Sequence, residues 1–230
     1  MNENLFLLVA VELSLGCAFL ACFFLLAGWR KDYRRAFLLK SSAGICFVLL
    51  GVLTRRFCQN ELFGLFVLAG LCLGLLGDQL LAMRYMKPEQ HDRFFSLGAA
   101  AFAFGHLLYI AALFRQGVAL ALALPVFVLG FGASMLFFRS KKVQAGKLQL
   151  PAVCYIGLVV FMAAAACSAA VRGFSVGLLL FAAGGICFAV SDNLLCAYCF
   201  GTGRSRSVDR AVHISYYAAQ LLIAWSLRFL

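Results

Sequence analysis

The fold of this chain is decided by the stretch Gly70-Leu-Cys-Leu-Gly-Leu-Leu-Gly-Asp78-Gln-Leu-Leu-Ala82, which places a carboxylate inside an apolar segment long enough to cross a membrane. A second stretch has the same local order, Gly185-Ile-Cys-Phe-Ala-Val-Ser-Asp192-Asn-Leu-Leu-Cys196. In both, a small residue precedes the aspartate, and an amide residue and two leucines follow it. A charge at the centre of a bilayer costs at least about 2.5–3.5 kcal/mol on insertion scales, so each aspartate is interpreted first as part of a functional site.

Composition assigns the whole chain to a membrane. Of its 230 residues, 64% are hydrophobic and 13% are charged, whereas a soluble domain is roughly 45–50% apolar and about 25% charged. The net charge of +11 would favour nucleic-acid binding in a soluble protein, but here the basic residues lie in short loops between apolar segments. We therefore expect an integral membrane protein that has the lipid bilayer as its surroundings and no nucleic-acid partner.

Eight segments meet the criterion of about 20 mostly apolar residues for a spanning helix. They predict an all-α, polytopic membrane protein whose residues 1–230 form one transmembrane domain, because the connections are too short to fold alone. The eight predicted helices are Leu5–Ala27, Ala36–Leu53, Leu62–Met83, Phe94–Phe114, Val118–Phe138, Leu148–Val171, Phe174–Phe200 and Ala211–Phe229.

The loops predict an orientation. The first, third, fifth and seventh loops hold 14 of the 20 Lys and Arg residues. By the positive-inside rule, these loops face the cytoplasm and both termini lie outside it. Very short loops also favour a bacterial inner membrane as the location.

The two aspartates are 114 residues apart, and the same offset aligns His106 of the fourth helix with Gln220 of the eighth. The simplest interpretation is two tandem four-helix repeats, approximately residues 1–115 and 116–230. An even number of helices keeps both repeats in one orientation, so a pseudo-twofold axis would run along the membrane normal. Such an axis would hold both aspartates at equal depth, facing one interior.

Most of the uncommon polar side chains are expected near the aspartates. In the eighth helix, His213, Tyr216 or Tyr217, and Gln220 recur every three or four residues, which predicts a polar stripe on one face. Asp78 and Asp192 are the candidate catalytic residues. The candidate substrate-binding or orienting residues are Lys40, His106, Tyr109, Tyr155, Asn193, His213, Tyr216, Tyr217 and Gln220.

Structural roles remain open for several of these residues. Each aspartate could cap a broken helix, or one could pair with Lys40, which could instead extend to the membrane interface. His106 could be a core histidine bonded to a neighbour. Glu12, in the first helix, has no assigned role.

We expect no metal and no cofactor. The chain has three histidines, one of them His91 in a loop, which make a poor set of metal ligands. Its ten cysteines are irregularly spaced, without CxxC pairs beside histidine, so neither a zinc site nor a disulfide framework is indicated.

Two carboxylates in a low-dielectric cavity cannot both ionise comfortably, which would leave one acid and one base at neutral pH. Such a pair suits acid-catalysed cleavage through an oxocarbenium-like state, peptide hydrolysis, or proton-coupled transport. Intramembrane aspartyl proteases carry a glycine two residues before the aspartate, where this chain has Leu76. A proton-coupled carrier of a small solute or lipid is the stronger alternative, although no proline interrupts either helix at its aspartate.

Four motifs, in order along the chain, resemble the lysoplasmalogenase (YhhN-like) family of membrane proteins. They are Gly77-Asp78, Phe102-Ala-Phe-Gly-His106-Leu-Leu-Tyr109, Phe188-Ala-Val-Ser191-Asp192 and Tyr216-Tyr217-Ala-Ala-Gln220. Lys40 also fits the pattern, with Ser41 where the family would have proline.

The resemblance implies an eight-helix hydrolase with a lysophospholipid as its substrate. The enzyme would cleave the vinyl ether bond of lysoplasmalogens to a fatty aldehyde and glycerophosphoethanolamine or glycerophosphocholine. On this hypothesis one aspartate protonates the vinyl ether carbon, and the other stabilises the cation and activates water. Lys40 and His213 would hold the substrate phosphate.

Overall fold

A computed structural model describes residues 2–202 and 204–230. This part of the chain contains eight α-helices and no β-strand, which confirms the predicted all-α class. Short 3₁₀ turns precede α4 and α6 and follow α8. The helices are α1 (Glu3–Trp29), α2 (Tyr33–Arg55), α3 (Glu61–Met86), α4 (His91–Phe114), α5 (Leu120–Ser140), α6 (Gln149–Gly173), α7 (Val176–Phe200) and α8 (Arg206–Ser226).

Polar side chains fix where five of the helices begin. Asn2, Asp32, Asn60, Ser175 and Ser205 each accept a hydrogen bond from the backbone N–H three residues further along. Such a bond satisfies one of the backbone donors that the first turn of a helix leaves without a partner. Because a cap can lie outside the apolar run, four of these five helices, α1, α2, α3 and α8, begin earlier than hydropathy predicts.

Two predicted boundaries shift for local reasons. Phe174 does not begin α7, because its left-handed backbone (φ 38°) ends α6 instead. The eighth helix begins at Arg206 rather than at the predicted Ala211, because Ser205 caps a first turn that is polar.

Seven of the eight helices are long and apolar enough to cross a membrane, and the chain is a polytopic membrane protein. The exception is α8, which carries charged residues in its first turns and buries Tyr216 and Gln220. It lies along α7 and also contacts α1, α2 and α3. Tyr216 and Gln220, two of the polar residues that make α8 poorly suited to lipid, therefore have hydrogen-bond partners inside the helix bundle.

Helix neighbours follow the same order in both halves of the chain. Contacts link α1–α2, α2–α3 and α3–α4 in the first half, and α5–α6, α6–α7 and α7–α8 in the second. The halves meet through α2–α8 and α4–α6. A Cβ built on Gly105 would lie 3.2 Å from the carbonyl of Gly70, and one built on Gly184 would lie 3.0 Å from the carbonyl of Ala219. The offset of 114 residues relates Gly70 to Gly184 and Gly105 to Ala219, so two tandem repeats would have both contacts. The repeat itself stays a prediction.

Glycines on α3 let two other helices approach closely. A Cβ built on Gly77 would lie 2.7 Å from a ring carbon of Phe102 in α4, and one on Gly74 would lie 2.5 Å from the amide nitrogen of Gln220 in α8. Small residues at such contacts are typical of membrane helix packing. This face of α3 carries Asp78 into the centre of the bundle.

Candidate functional site

One cavity of about 310 Å³ contains both aspartates, and we call it the polar cavity. It lies towards the end of the bundle formed by the first, third, fifth and seventh loops, which we call the basic end. Asp78 and Asp192 each lie eight residues before the last residue of their helices, Met86 and Phe200. Eight residues correspond to about 12 Å of helix. The two carboxylates therefore lie at a similar depth below the basic end.

Asp78 is held by a cation and a phenol. The Nζ atom of Lys40 in α2 lies 2.9 Å from its Oδ1, and Tyr216 in α8 donates a hydrogen bond of 2.8 Å to its Oδ2. The amide of Gln220 in turn donates to the Tyr216 hydroxyl at 2.9 Å. Only 2% of Asp78 is exposed. The ammonium group of Lys40 thus compensates the charge of a carboxylate that has almost no contact with water.

Asp192 has different partners. Tyr155 in α6 donates a hydrogen bond of 2.6 Å to Oδ2 of Asp192, and Nε2 of His106 in α4 lies 3.7 Å from the same oxygen. The Tyr155 hydroxyl is also 3.4 Å from that histidine nitrogen. Among the described residues, no Lys or Arg lies within 4.0 Å of Asp192. The two carboxylates therefore differ: one is paired with a lysine, and the other with a phenol and an imidazole.

A second cavity of about 490 Å³ is lined mainly by residues of α3, α4, α6 and α7, and we call it the apolar cavity. The small side chains of alanines such as Ala99, Ala103 and Ala152 leave this space empty, and Pro151 and Leu158 also line it. Five residues line both cavities: Leu81, Phe102, Tyr155, Asp192 and Leu195. Asp192 therefore lies at the junction of a polar and an apolar compartment, whereas Asp78 faces only the polar one.

The structure brings most of the predicted site residues together in two layers. Those that line the polar cavity with the aspartates are Lys40, Tyr155, His213 and Tyr216. Behind them, His106 approaches Asp192, while Gln220 bonds Tyr216 and accepts a hydrogen bond of 3.5 Å from Tyr109. These buried groups orient the side chains that face the cavity.

Two predicted residues belong to neither of these layers. Asn193 donates its amide to the carbonyl of Ala189 in its own helix at 2.8 Å. Tyr217 is buried beside Tyr216, with ring centroids 5.1 Å apart.

Lys40 and His213 line the cavity, but Lys40 pairs with Asp78, so its charge is already compensated.

Several residues that line the polar cavity were not predicted as site residues, among them Trp29, Asp209 and Arg84. Trp29 donates its indole N–H to Asp209 at 2.7 Å, and Asp209 also lies 3.4 Å from Nδ1 of His213. Asp209 extends the polar stripe of α8 by one turn, so its spacing could have revealed it. Because the predicted third helix ends at Met83, Arg84 falls among the basic residues of the third loop. In the structure it lies in the last turn of α3, six residues after Asp78, and is buried.

The remaining features bear on the possible chemistry. Both α3 and α7 continue without a break through their aspartates. Among residues 2–202 and 204–230, no group of three or more His, Cys, Asp and Glu side chains is arranged to hold a metal ion.

Comparison with known proteins found a family match that covers most of the candidate site. A sequence model described as the YhhN family matches residues 35–227. No curated protein and no solved structure matches the chain. The matched range covers both aspartates, their bonded partners and all of the apolar cavity. The residues of the polar cavity that it leaves out lie at the end of α1, in the following loop and at the start of α2. By this match, the chain belongs to the YhhN family, the family of lysoplasmalogenase-like proteins.

Proposed function

We propose that this protein is a membrane hydrolase that cleaves the vinyl ether bond of lysoplasmalogens. The products are a fatty aldehyde and glycerophosphoethanolamine or glycerophosphocholine. Membership of a family of lysoplasmalogenase-like proteins supports a hydrolase of this kind. We also propose that the basic end faces the cytoplasm of a bacterial cell, with the protein in the inner membrane.

The observation that carries the proposal is the position of Asp192 at the junction of the two cavities. A lysoplasmalogen has an apolar chain and a polar headgroup, and its scissile bond lies between them. With the chain in the apolar cavity and the headgroup in the polar cavity, the vinyl ether lies beside Asp192. Sites for small molecules commonly combine an apolar lining with a few convergent polar groups.

The different partners of the two carboxylates suggest their roles. Asp192, which has no Lys or Arg beside it among the described residues, is the general acid and protonates the outer vinyl carbon. The resulting oxocarbenium ion is stabilised by Asp78, whose charge Lys40 maintains, and Asp78 also orients the attacking water. Addition of water gives a hemiacetal, which collapses to the aldehyde and the free glycerol hydroxyl. The reaction consumes one water and returns the proton to Asp192.

Aldehyde release tests the proposal directly. Purified protein in detergent receives lysoplasmenylethanolamine in one tube and its saturated alkyl-ether analogue in another. We expect aldehyde only from the vinyl ether, because the saturated ether has no double bond to protonate. Asp192→Asn and Asp78→Asn should each abolish turnover, while Asp92→Asn, the same change at an exposed position on the basic end, should retain it. Full turnover in both site variants would refute the mechanism.

A proton-coupled carrier is the alternative, and the paired buried carboxylates are the feature in its favour. The continuous α3 and α7 argue against it, because substrate sites in many carriers are formed by interrupted helices. Proton-linked flux of an unchanged solute into liposomes, without aldehyde release from folded protein, would favour the carrier.

A further inference from the structure

Arg84 is a buried cation that the proposed chemistry does not use. It is 7% exposed, lies in the last turn of α3 and lines the polar cavity. No carboxylate of the described residues lies within 4.0 Å of it, and its Nε has no hydrogen-bond partner among them. Removing a guanidinium group from water without an anionic partner is costly, so a ligand that supplies the anion would be strongly favoured.

Neighbouring aromatic rings hold the guanidinium group in position. One terminal nitrogen of Arg84 donates to the hydroxyl of Tyr85 at 2.8 Å. The guanidinium carbon lies 4.7 Å from the ring centroid of Tyr85 and 5.3 Å from that of Phe95. Aromatic contacts orient a guanidinium group without neutralising it. Most of its N–H donors therefore remain available to a ligand.

The other basic residues of the polar cavity are already engaged or exposed. Lys40 pairs with Asp78. His213 lies against Asp209. Lys31 lines the mouth of the cavity but is exposed to solvent. Arg84 is therefore the buried cation of this cavity whose charge the described residues leave uncompensated.

We propose that Arg84 binds the phosphate group of a single-chain phospholipid in the polar cavity, an inference that rests on the proposed function. A guanidinium group can bind two phosphate oxygens at once, through two parallel N–H donors. Arg84 lies six residues beyond Asp78 on α3, which is about 9 Å towards the basic end. Phe95, which contacts Arg84, also lines the apolar cavity. A bound lipid would thus extend from the apolar cavity, past Asp192, to Arg84.

Two substrates that differ only in the phosphate group test this assignment. They are an alkenyl glycerophosphoethanolamine and the matching alkenylglycerol, which has the same vinyl ether but no phosphate. In Arg84→Gln we expect KM for the phospholipid to rise by about 10- to 100-fold, the loss typical of hydrogen bonds to a charged group. Hydrolysis of the alkenylglycerol should be unchanged. Arg84→Lys, which keeps the charge but not the paired donors, should fall between wild type and Arg84→Gln.

The matched control is Arg93→Gln, the same substitution at an exposed position on the basic end. It should leave both substrates unaffected. Equal loss on both substrates in Arg84→Gln would assign Arg84 a structural role and overturn the proposal. An unchanged KM for the phospholipid would overturn it as well.

A binding measurement separates this proposal from the proposed function. The probes are an alkyl-ether lysophospholipid, which has no vinyl ether, the matching alkylglycerol, and inorganic phosphate alone. We expect the lysophospholipid to raise the unfolding temperature of wild type more than that of Arg84→Gln, and the alkylglycerol to affect both proteins equally. If inorganic phosphate alone reproduces the Arg84-dependent shift, the lipid is the wrong source of the anion and the proposal fails. An Arg84-dependent shift without aldehyde release would support the phosphate site and refute the hydrolase.

Discussion

Replacing Lys40 by an uncharged residue should destabilise the protein, because the carboxylate of Asp78 would stay buried without its cation. The two charged atoms are 2.9 Å apart, and their side chains are 10% and 3% exposed. At an effective dielectric constant of about 20, this separation corresponds to an attraction of about 6 kcal/mol before the cost of desolvation. Breaking a buried pair by removing one partner typically costs about 3–5 kcal/mol, because an uncompensated charge remains.

The test compares Lys40→Met with the double variant Lys40→Met/Asp78→Asn. For a chain of this size, about 3–5 kcal/mol corresponds to a fall of roughly 6–20 °C in the unfolding midpoint of the single variant. The double variant should recover most of that loss, because no lone charge is left in the bundle. Unfolding in detergent can be followed by a thiol-reactive dye, as the rise in signal above that of the exposed cysteines when buried ones such as Cys17 and Cys196 become accessible.

Lys31→Met is the matched control, because Lys31 lines the same cavity but is exposed, and surface substitutions usually change stability by at most about 0.5 kcal/mol. If the single and double variants unfold at the same temperature, Asp78 does not depend on Lys40 for compensation. The roles assigned to the two aspartates would then lose their physical basis.

Three further outcomes are expected. Tyr155→Phe, which removes the 2.6 Å hydrogen bond to the candidate acid, should lower kcat more than it changes KM in the aldehyde assay. Ala103→Phe, which fills the apolar cavity, should raise KM for long-chain substrates while short-chain ones are little affected. Gly77→Ala, whose Cβ would lie 2.7 Å from the ring of Phe102, should destabilise the protein by about 1–3 kcal/mol. The Cβ of the control Gly132→Ala would meet no neighbouring group within 4 Å, so this change should not lower the unfolding temperature.

The helices could be predicted from the sequence because a spanning segment has a minimum length and composition, and all eight predicted helices are present. The aspartates were recognisable because charges are rare in such segments. Pairing of an aspartate with Lys40 was one of the alternatives that the sequence left open, and the structure shows it for Asp78. The sequence could not decide between them, since the pairing depends on which face α2 presents to α3. The burial of Arg84 could not be predicted from the sequence, because a basic residue at the end of a helix shows the same sequence pattern whether it faces solvent or a cavity.

The cavities themselves could not be predicted. Seven helices line the polar cavity and four line the apolar one. The space of the apolar cavity depends on small side chains such as Ala103 and Ala152, which lie on helices that are distant in sequence. Apolar periodicity identifies a buried face, but it does not distinguish a filled interface from an open one.

The polar character of α8 has a consequence for how the protein is made. The ribosome releases α8 after the other seven helices, and it is the one that is too polar to enter lipid on its apolarity alone. Its stable insertion must therefore rely on docking against α7 and α2, which are already in the bilayer. Tyr216, the hydroxyl donor to Asp78, arrives with this helix. A nascent chain therefore lacks the hydroxyl donor to Asp78 until its eighth helix docks.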